Sequence, residues 1–381
     1  MKNKIRIINL NTFKLIQMST ISTIPKIVHF VFGLLPQSED FDLIYSIAII
    51  SAKFVLKPDE IMFWHHYEPK GMYWDIVKPF LTLKKINIPK TINKNNTFKN
   101  IIKHEHAADV IRLLVLKEFG GIYLDMDTIC IRNIDFLLRH NAVMAEQLES
   151  GLCNAIILSK PESKFINVWC DNYFENFYPE GWIECSVILP KLISEKIESS
   201  EIKVLGPEYF FVPYCTDVPD IYDNPLIELS SNLHILHLWN NMGHENIKSY
   251  KDILHIIYDQ SLYGKIFRFI CKNNPQILPL YNIDNNKLNY KLINLKHLDI
   301  LKNNSEENSN LVFTGVYNNK NNLDLIIKNI KFPRQKDWSS DLLVFTTNSA
   351  EINLIKRITI DKQDYSWNFY FPNIQVDFDL P

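Results

Sequence analysis

Two aspartates one residue apart, Asp125 and Asp127, are the residues in this chain whose type and spacing most plainly offer chemistry. In an extended segment residues i and i+2 point the same way, so IYLDMD would present both carboxylates on one side and Met126 on the other. Carboxylates held that close repel one another and lose solvation unless a cation joins them. Hard oxygen ligands of this kind suit Mg²⁺ or Mn²⁺, ions that leave room for phosphate oxygens. A bare D-x-D also opens many solvated loops, so the elements around it must decide.

Those elements lie immediately upstream, in HEHAADVIRLLVLKEFGG, residues 104–121. Ala107, Ala108, Val110, Ile111, Leu113, Leu114, Val115 and Leu116 are too apolar for a one-sided surface helix, and the pattern predicts a helix buried on most of its circumference. Asp109 and Arg112 interrupt it at i and i+3, on one face. Gly120 and Gly121 stop it, since glycine takes the positive-φ conformations common at helix ends. A β-branched and aromatic strand follows and runs into the aspartates.

The block Ala108-Asp109-x-x-Arg112 with Gly120-Gly121-Ile122-Tyr123-Leu124-Asp125-Met126-Asp127 resembles the donor-binding core of D-x-D sugar transferases. The block is similar to that of the family 32 glycosyltransferases and, more distantly, to the glucosyltransferase domains of the large clostridial toxins. The resemblance covers residues 24–245. It implies an α/β fold of the GT-A type, a Rossmann-like nucleotide-sugar-binding sandwich. It also implies a divalent metal, Mn²⁺ or Mg²⁺, held by Asp125 and Asp127 on the diphosphate of a nucleotide sugar. Val31 and Phe32, at the end of the first strand, match the position that holds the nucleotide base. Asp109 would accept from donor hydroxyls and Arg112 would donate to donor oxygens. Tyr123, Asn154 and Trp239 complete the expected donor-binding set. His237-Leu238-Trp239-Asn240 matches the late segment that returns to the metal, where some GT-A enzymes place a histidine as third protein ligand. Imidazole would favour manganese. The clostridial relatives use other residue types there, and a histidine on an apolar strand is also an ordinary core residue. The expected activity is transfer of a sugar from a nucleotide donor, with uridine diphosphate preferred, to a glycan, lipid or protein acceptor with retention of configuration.

The aspartates admit two other readings. A haloacid-dehalogenase-like phosphohydrolase would use Asp125 as nucleophile in D-x-D-x-T/V, but the fifth position is Ile129 and no downstream acidic pair completes its metal site. A transferase-like fold kept only to bind sugar has the same motifs.

The 381 residues are long enough for two domains, and 46% hydrophobic content suits a globular chain. A formal net charge of -2 offers no basic field for nucleic acid. The six cysteines have no zinc-like spacing and are expected as reduced core residues. With neither a signal peptide nor a spanning apolar run in the sequence, the expectation is a cytoplasmic enzyme or one peripheral to a membrane. The expected catalytic domain spans 20–275 and a small β-rich C-terminal domain spans 311–381. Strand-helix-strand-helix-strand alternation over 24–88 predicts parallel strands. His65 and His66 are adjacent on a predicted strand, point oppositely and are read as strand histidines without a metal. Residues 89–100 read as a polar loop and 247–271 as one amphipathic helix. Glu146, Gln147, Leu148 and Glu149 emerge from a strand close to the aspartates in chain order, as sugar-facing or solvated loop residues. Trp338, Trp367 and Tyr370 are expected in the C-terminal core.

Overall fold

The computed structural model describes residues 23–94, 97–147, 151–240, 242, 250 and 252–285, with four further strands between 341 and 379. Two compact units divide the chain, Met1–Ile283 and Asp284–Pro381.

The first unit is a mixed α/β layer structure. Strand β1 (Ile27–Val31) leads to helix α1 (Leu43–Ser51), β2 (Glu60–His65), α2 (Met72–Val77) and β3 (Thr82–Lys85). β1, β2 and β3 pair in parallel, as the alternation predicted. A hairpin, β4 (Thr91–Lys94) and β5 (Thr97–Asn100), stands where the sequence read as a polar loop. Then come α3 (His104–Phe119), β6 (Gly121–Leu124) and a short β7 (Thr128–Cys130). β8 (Ala142–Gln147), β9 (Gly151–Leu152), β10 (Ile156–Ser159), α4 (Lys164–Asn176), α5 (Leu189–Lys196), β11 (Lys203–Leu205) and β12 (Ile235–His237) complete the framework.

The main sheet runs β11-β8-β10-β6-β1-β2-β3, with β9 paired to β8. β10 is antiparallel to both its neighbours, while β6 is parallel to β1. From β1 the chain fills one side of the sheet with β2 and β3, and only later places β6 on the other side. That reversal makes the carboxyl ends of β1 and β6 a topological switch point, where open α/β sheets leave a crevice for ligands. Alternate residues serve opposite layers: Trp64 meets Phe119 of α3, and its neighbour Phe63 meets Trp74 of α2.

α3 is buried along Ala107, Val110, Ile111, Leu113, Val115 and Leu116, as its composition predicted. Gly120 and Gly121 have φ of 63° and 104°. A Cβ at Gly121 would lie 2.5 Å from the Ile27 carbonyl oxygen, so only glycine lets α3 turn this tightly into β6. Buried His29 pins the same corner: Trp64 Nε1 donates to its Nδ1 at 3.2 Å, and its Nε2 lies 2.8 Å from the Gly120 carbonyl oxygen. One ring nitrogen accepts and the other donates, which describes a neutral imidazole. Burial carries its pKa down to about 4, the Gly120 contact acting in the opposite direction.

The segment expected as one long helix is two, Ile253–Tyr258 and Leu262–Asn273, because Asp259 and Ser261 break and recap it. The Asp259 carboxylate accepts from the Ser261 N–H, and the Ser261 hydroxyl caps Gly264. All six cysteines are unpaired, with Cys130, Cys153, Cys185 and Cys271 buried, in keeping with the expected core role. No helix among the described residues is long and apolar enough to cross a membrane.

In the second unit Asp341–Phe345 pairs antiparallel with Leu354–Thr359, and Ser366–Phe371 with Ile374–Asp379. Trp338 and residues 311–340 lie outside the described residues, as do Leu148 and Glu149 and the side chains of Trp367 and Tyr370.

Candidate active site

β6 ends at Leu124, so the aspartates do not continue the strand; they occupy the turn that joins β6 to β7. Asp125 still follows the ladder, its N–H donating to the Ala155 carbonyl at 2.8 Å. The chain then bends, with the Thr128 hydroxyl donating to the Asp125 carbonyl oxygen at 2.8 Å. The turn reaches by bending what alternation alone would have supplied. Asp125, Asp127 and His237 each offer a ligand atom, and these atoms lie within 4.8 Å of one another.

The two carboxylates are held differently. Asp125 is gripped from its own neighbourhood in the chain. The Tyr123 hydroxyl donates to its Oδ1 at 2.6 Å, and an Arg112 terminal nitrogen lies 3.2 Å from the same oxygen. Arg112 is buried, with its guanidinium 4.5 Å over the Tyr123 ring. It also donates to the Asn154 carbonyl at 2.8 Å and sits 3.3 Å from Asp109. Asn154 Nδ2 donates to that Asp109 oxygen at 2.7 Å, which closes the network. Burial pushes the Asp109 and Asp125 carboxyls above the ordinary range; Arg112 opposes this at both, and the Asp127 charge adds to it at Asp125.

Asp127 is held by residues more than a hundred positions later. His237 Nε2 lies 3.2 Å from its Oδ1, the Asn240 N–H donates to its Oδ2 at 2.8 Å, and the Leu238 N–H donates to its carbonyl. β12 is brought there by antiparallel pairing with β7, His237 opposite Thr128. Burial acts to raise the Asp127 carboxyl, but the His237 charge and these hydrogen bonds carry it below the ordinary range. Burial acts likewise to lower the His237 imidazole, and Asp127 outweighs it and lifts the group well above its usual value. Trp239 backs this ring at 4.1 Å between centroids. Its indole N–H is already committed to the Pro213 carbonyl at 3.1 Å, so the residue walls His237 and is not among those lining the cavity beside it.

That cavity measures about 580 Å³ and opens at the carboxyl end of β1. Val31, Phe32, Tyr45, Ala108, Arg112 and Asn240 are among its lining residues, which puts two of the expected base-binding positions and Arg112 on one wall. Phe32 packs edge-on to Phe41 at 5.4 Å and lies 5.0 Å from the Tyr45 ring. The Tyr45 hydroxyl accepts from Asn240 Nδ2 at 3.1 Å. Burial and the Asp127 charge push that phenol up to about 12. Sequence reasoning did not single out Tyr45 and Asn240 as site residues. Asn240 was in view beside His237; Tyr45 sits in an apolar helix with no local signal. His65 is buried in β2, and His66 turns away to the Ile86 carbonyl at 2.8 Å, as adjacent strand residues should.

Two crowded, half-buried carboxylates and a buried imidazole make an O,O,N donor set that fits a divalent ion such as Mn²⁺. His237 Nδ1 is buried and has no hydrogen-bond partner among the described residues.

Comparison with known proteins points to the same class. Residues 45–144 match the family described as "Glycosyltransferase sugar-binding region containing DXD motif". This span holds Tyr45, Asp109, Arg112, Tyr123, Asp125 and Asp127, so the matched segment carries both aspartates of the cluster. It is 35% identical over 206 residues to glucan organizing enzyme 1 of Cryptococcus neoformans, covering 50% of this chain and 54% of that protein. It is 27% identical over 127 residues to mannosyl phosphorylinositol ceramide synthase SUR1 of Saccharomyces cerevisiae, covering 30% and 33%. The chain thus spans about half the length of the first relative and a third of the second. The apo-form glycosyltransferase GlyE of Streptococcus pneumoniae overlaps 59% of this chain and 63% of its own at 12% identity, with a TM-score of 0.35.

Proposed function

We propose that this chain is a metal-dependent glycosyltransferase that moves a hexosyl group from a nucleoside diphosphate donor to a hydroxyl acceptor. The observation that carries the reading is the meeting of Asp125, Asp127 and His237 within 4.8 Å, at a sheet switch point and beside a cavity of nucleotide size. A divalent ion bound there would act as a Lewis acid toward the departing diphosphate. Asp125 and Asp127 would hold it from two sides, Asp125 fixed by Tyr123 and Arg112 and Asp127 by the Asn240 N–H. Val31 and Phe32 would receive the base at the mouth of β1. Arg112, already charged and fixed against Tyr123, would donate to donor oxygens, and Asp109 would accept from sugar hydroxyls. Both sit on α3, so the helix would align the sugar with respect to the cation.

The ceramide-linked phosphoinositol in the name of the yeast relative supports a lipid-borne acceptor, with glycan and protein acceptors as alternatives. Retention of configuration is part of the same reading.

The test is a binding and hydrolysis screen of UDP-hexoses and GDP-hexoses with and without Mn²⁺. A donor should raise the melting temperature by mass action only with the metal present, and be hydrolysed slowly without acceptor. Stabilisation by nucleotide sugars that ignores the metal would remove the cation from the proposal.

A further inference from the structure

On the face of α3 next to the donor cavity lies a second, much smaller crevice. It is lined by His106, Asp109, Tyr173, Trp182, Glu184 and Cys185 among others, and holds about 10 Å³, the room of a single water-sized group. The two spaces are separated by the Asp109–Arg112 pair: Arg112 lines the larger and Asp109 the smaller. Its outer wall is the segment after α4. Gly181 accepts at its carbonyl from Lys103 Nζ at 3.1 Å and lies 3.0 Å from His106 Nε2. The Trp182 N–H donates to the Glu184 carboxylate at 2.8 Å. The wall is therefore tied to the first turn of α3 and set in place before any ligand arrives.

The polar groups of this crevice are incompletely matched. The Tyr173 hydroxyl and His106 Nδ1 are buried and have no hydrogen-bond partner among the described residues. Tyr173 and His106 are only 5% and 4% exposed, so open solvent does not serve them. Buried donors and acceptors left unmatched are destabilising, and packing alone does not account for them. Their chemistry is also specific. With Nε2 facing a carbonyl oxygen, His106 donates there, and in the neutral ring Nδ1 is then an acceptor. The Asp109 carboxylate accepts, and the Tyr173 hydroxyl can do either. A group that donates and accepts at once and is the size of water satisfies this set. A sugar hydroxyl is such a group.

We infer that the crevice between α3 and the Gly181–Glu184 segment is a hydroxyl subsite for the donor hexose, in which Tyr173 and His106 determine which hexose is accepted. The inference rests on the glycosyltransferase reading above. It places the sugar beyond Arg112, on the far side from Phe32, so the nucleotide spans from β1 across the cation site to α3. A site built to hydrogen-bond a hydroxyl rejects analogues that lack it or point it elsewhere, because its own buried groups then stay unmatched.

The test compares the wild-type chain with Tyr173→Phe, which keeps the ring stacked on Phe177 at 5.9 Å and removes only the hydroxyl. Probes are UDP and GDP, with Mn²⁺, against UDP-glucose, UDP-galactose and GDP-mannose. For the preferred nucleotide sugar the variant should bind roughly 3- to 10-fold more weakly, the range expected for one net hydrogen bond. Binding of the matching nucleoside diphosphate should not change, and the ligand-free melting temperature should hold or rise. The gap between preferred and rejected hexoses should narrow. His106→Gln keeps a donor for the Gly181 carbonyl and should narrow it likewise. Equal loss for nucleotide and nucleotide sugar, or no change in either, would overturn the subsite and mark a water-filled crevice only. Failure of the wild-type chain to bind any of the five probes would overturn the glycosyltransferase reading with it.

Discussion

The two carboxylates of the cluster sit two residues apart and are supported from opposite ends of the chain. Asp125 depends on α3, β6 and Asn154: Arg112, Tyr123 and Asp109 are drawn from the same short stretch. Asp127 depends on the β12 segment, through His237 and Asn240. Burial wins at Asp125, whose carboxyl is raised, while at Asp127 the imidazole wins and the carboxyl is lowered. A half-buried carboxylate beside a fixed guanidinium is preassembled by local folding. One beside a distant histidine is assembled only when the long-range pairing of β7 and β12 is complete. The first half of the site should therefore tie activity to the stability of the core, and the second should be separable from it.

Substitutions can break that contrast. Asp125→Asn and Asp127→Asn should each lower turnover of the donor by two orders of magnitude or more (about 100-fold or greater), since either removes a charge facing the leaving diphosphate. Steady-state hydrolysis at saturating Mn²⁺ checks this; retained activity in either variant would remove that aspartate from the cation site. Arg112→Ala should show the core dependence of the Asp125 half. It leaves Asp109 buried, and Asp125 half-buried, without their cation, a loss of about 3–5 kcal/mol, read as a lowered urea midpoint with no ligand present.

The corner at His29 should bring in pH. Its folded pKa, about 4, lies below the ordinary value of 6.5, so the folded state disfavours the charged imidazole. Its contribution is full above pH 6.5 and is lost as pH falls from 6.5 toward 4, amounting to about 3 kcal/mol. Denaturant midpoints at pH 7 and pH 4.5 should differ more in the wild-type chain than in His29→Gln, which has no ring to protonate. Identical pH slopes would show that the corner does not titrate. In the Asp127 half, His237→Ala should weaken metal binding by about 10-fold or more, since losing a ligand costs at least as much as losing a group that orients one. It should cost less stability than Arg112→Ala, and a larger loss would make His237 chiefly a core residue.

The local half was the legible one. Asp109, Arg112, Gly120 and Gly121 act within a few residues of where they stand, and helix periodicity with a double glycine is enough to place them. Parallel pairing of β1, β2 and β3 was readable for the same reason. The turn at Asp125–Asp127 was not, because strand composition in IYLDMD does not show where the Ala155 partner strand ends. The β4–β5 hairpin was read as a loop although two asparagines separate two Thr-led runs, a two-residue hairpin spacing. Tyr45, Tyr173 and His106 carried no signal at all. Each looks like an ordinary aromatic or helix residue, and its setting depends on contacts made across the fold.

The most direct test of the account is a titration of Mn²⁺ by electron paramagnetic resonance. It compares the wild-type chain, Asp125→Asn, Asp127→Asn and His237→Ala, each with and without nucleoside diphosphate and with no turnover required. A single Mn²⁺ site, tightened by the diphosphate and weakened at least 10-fold by all three substitutions, is the predicted result. Mn²⁺ binding that survives both aspartate substitutions unchanged would contradict it.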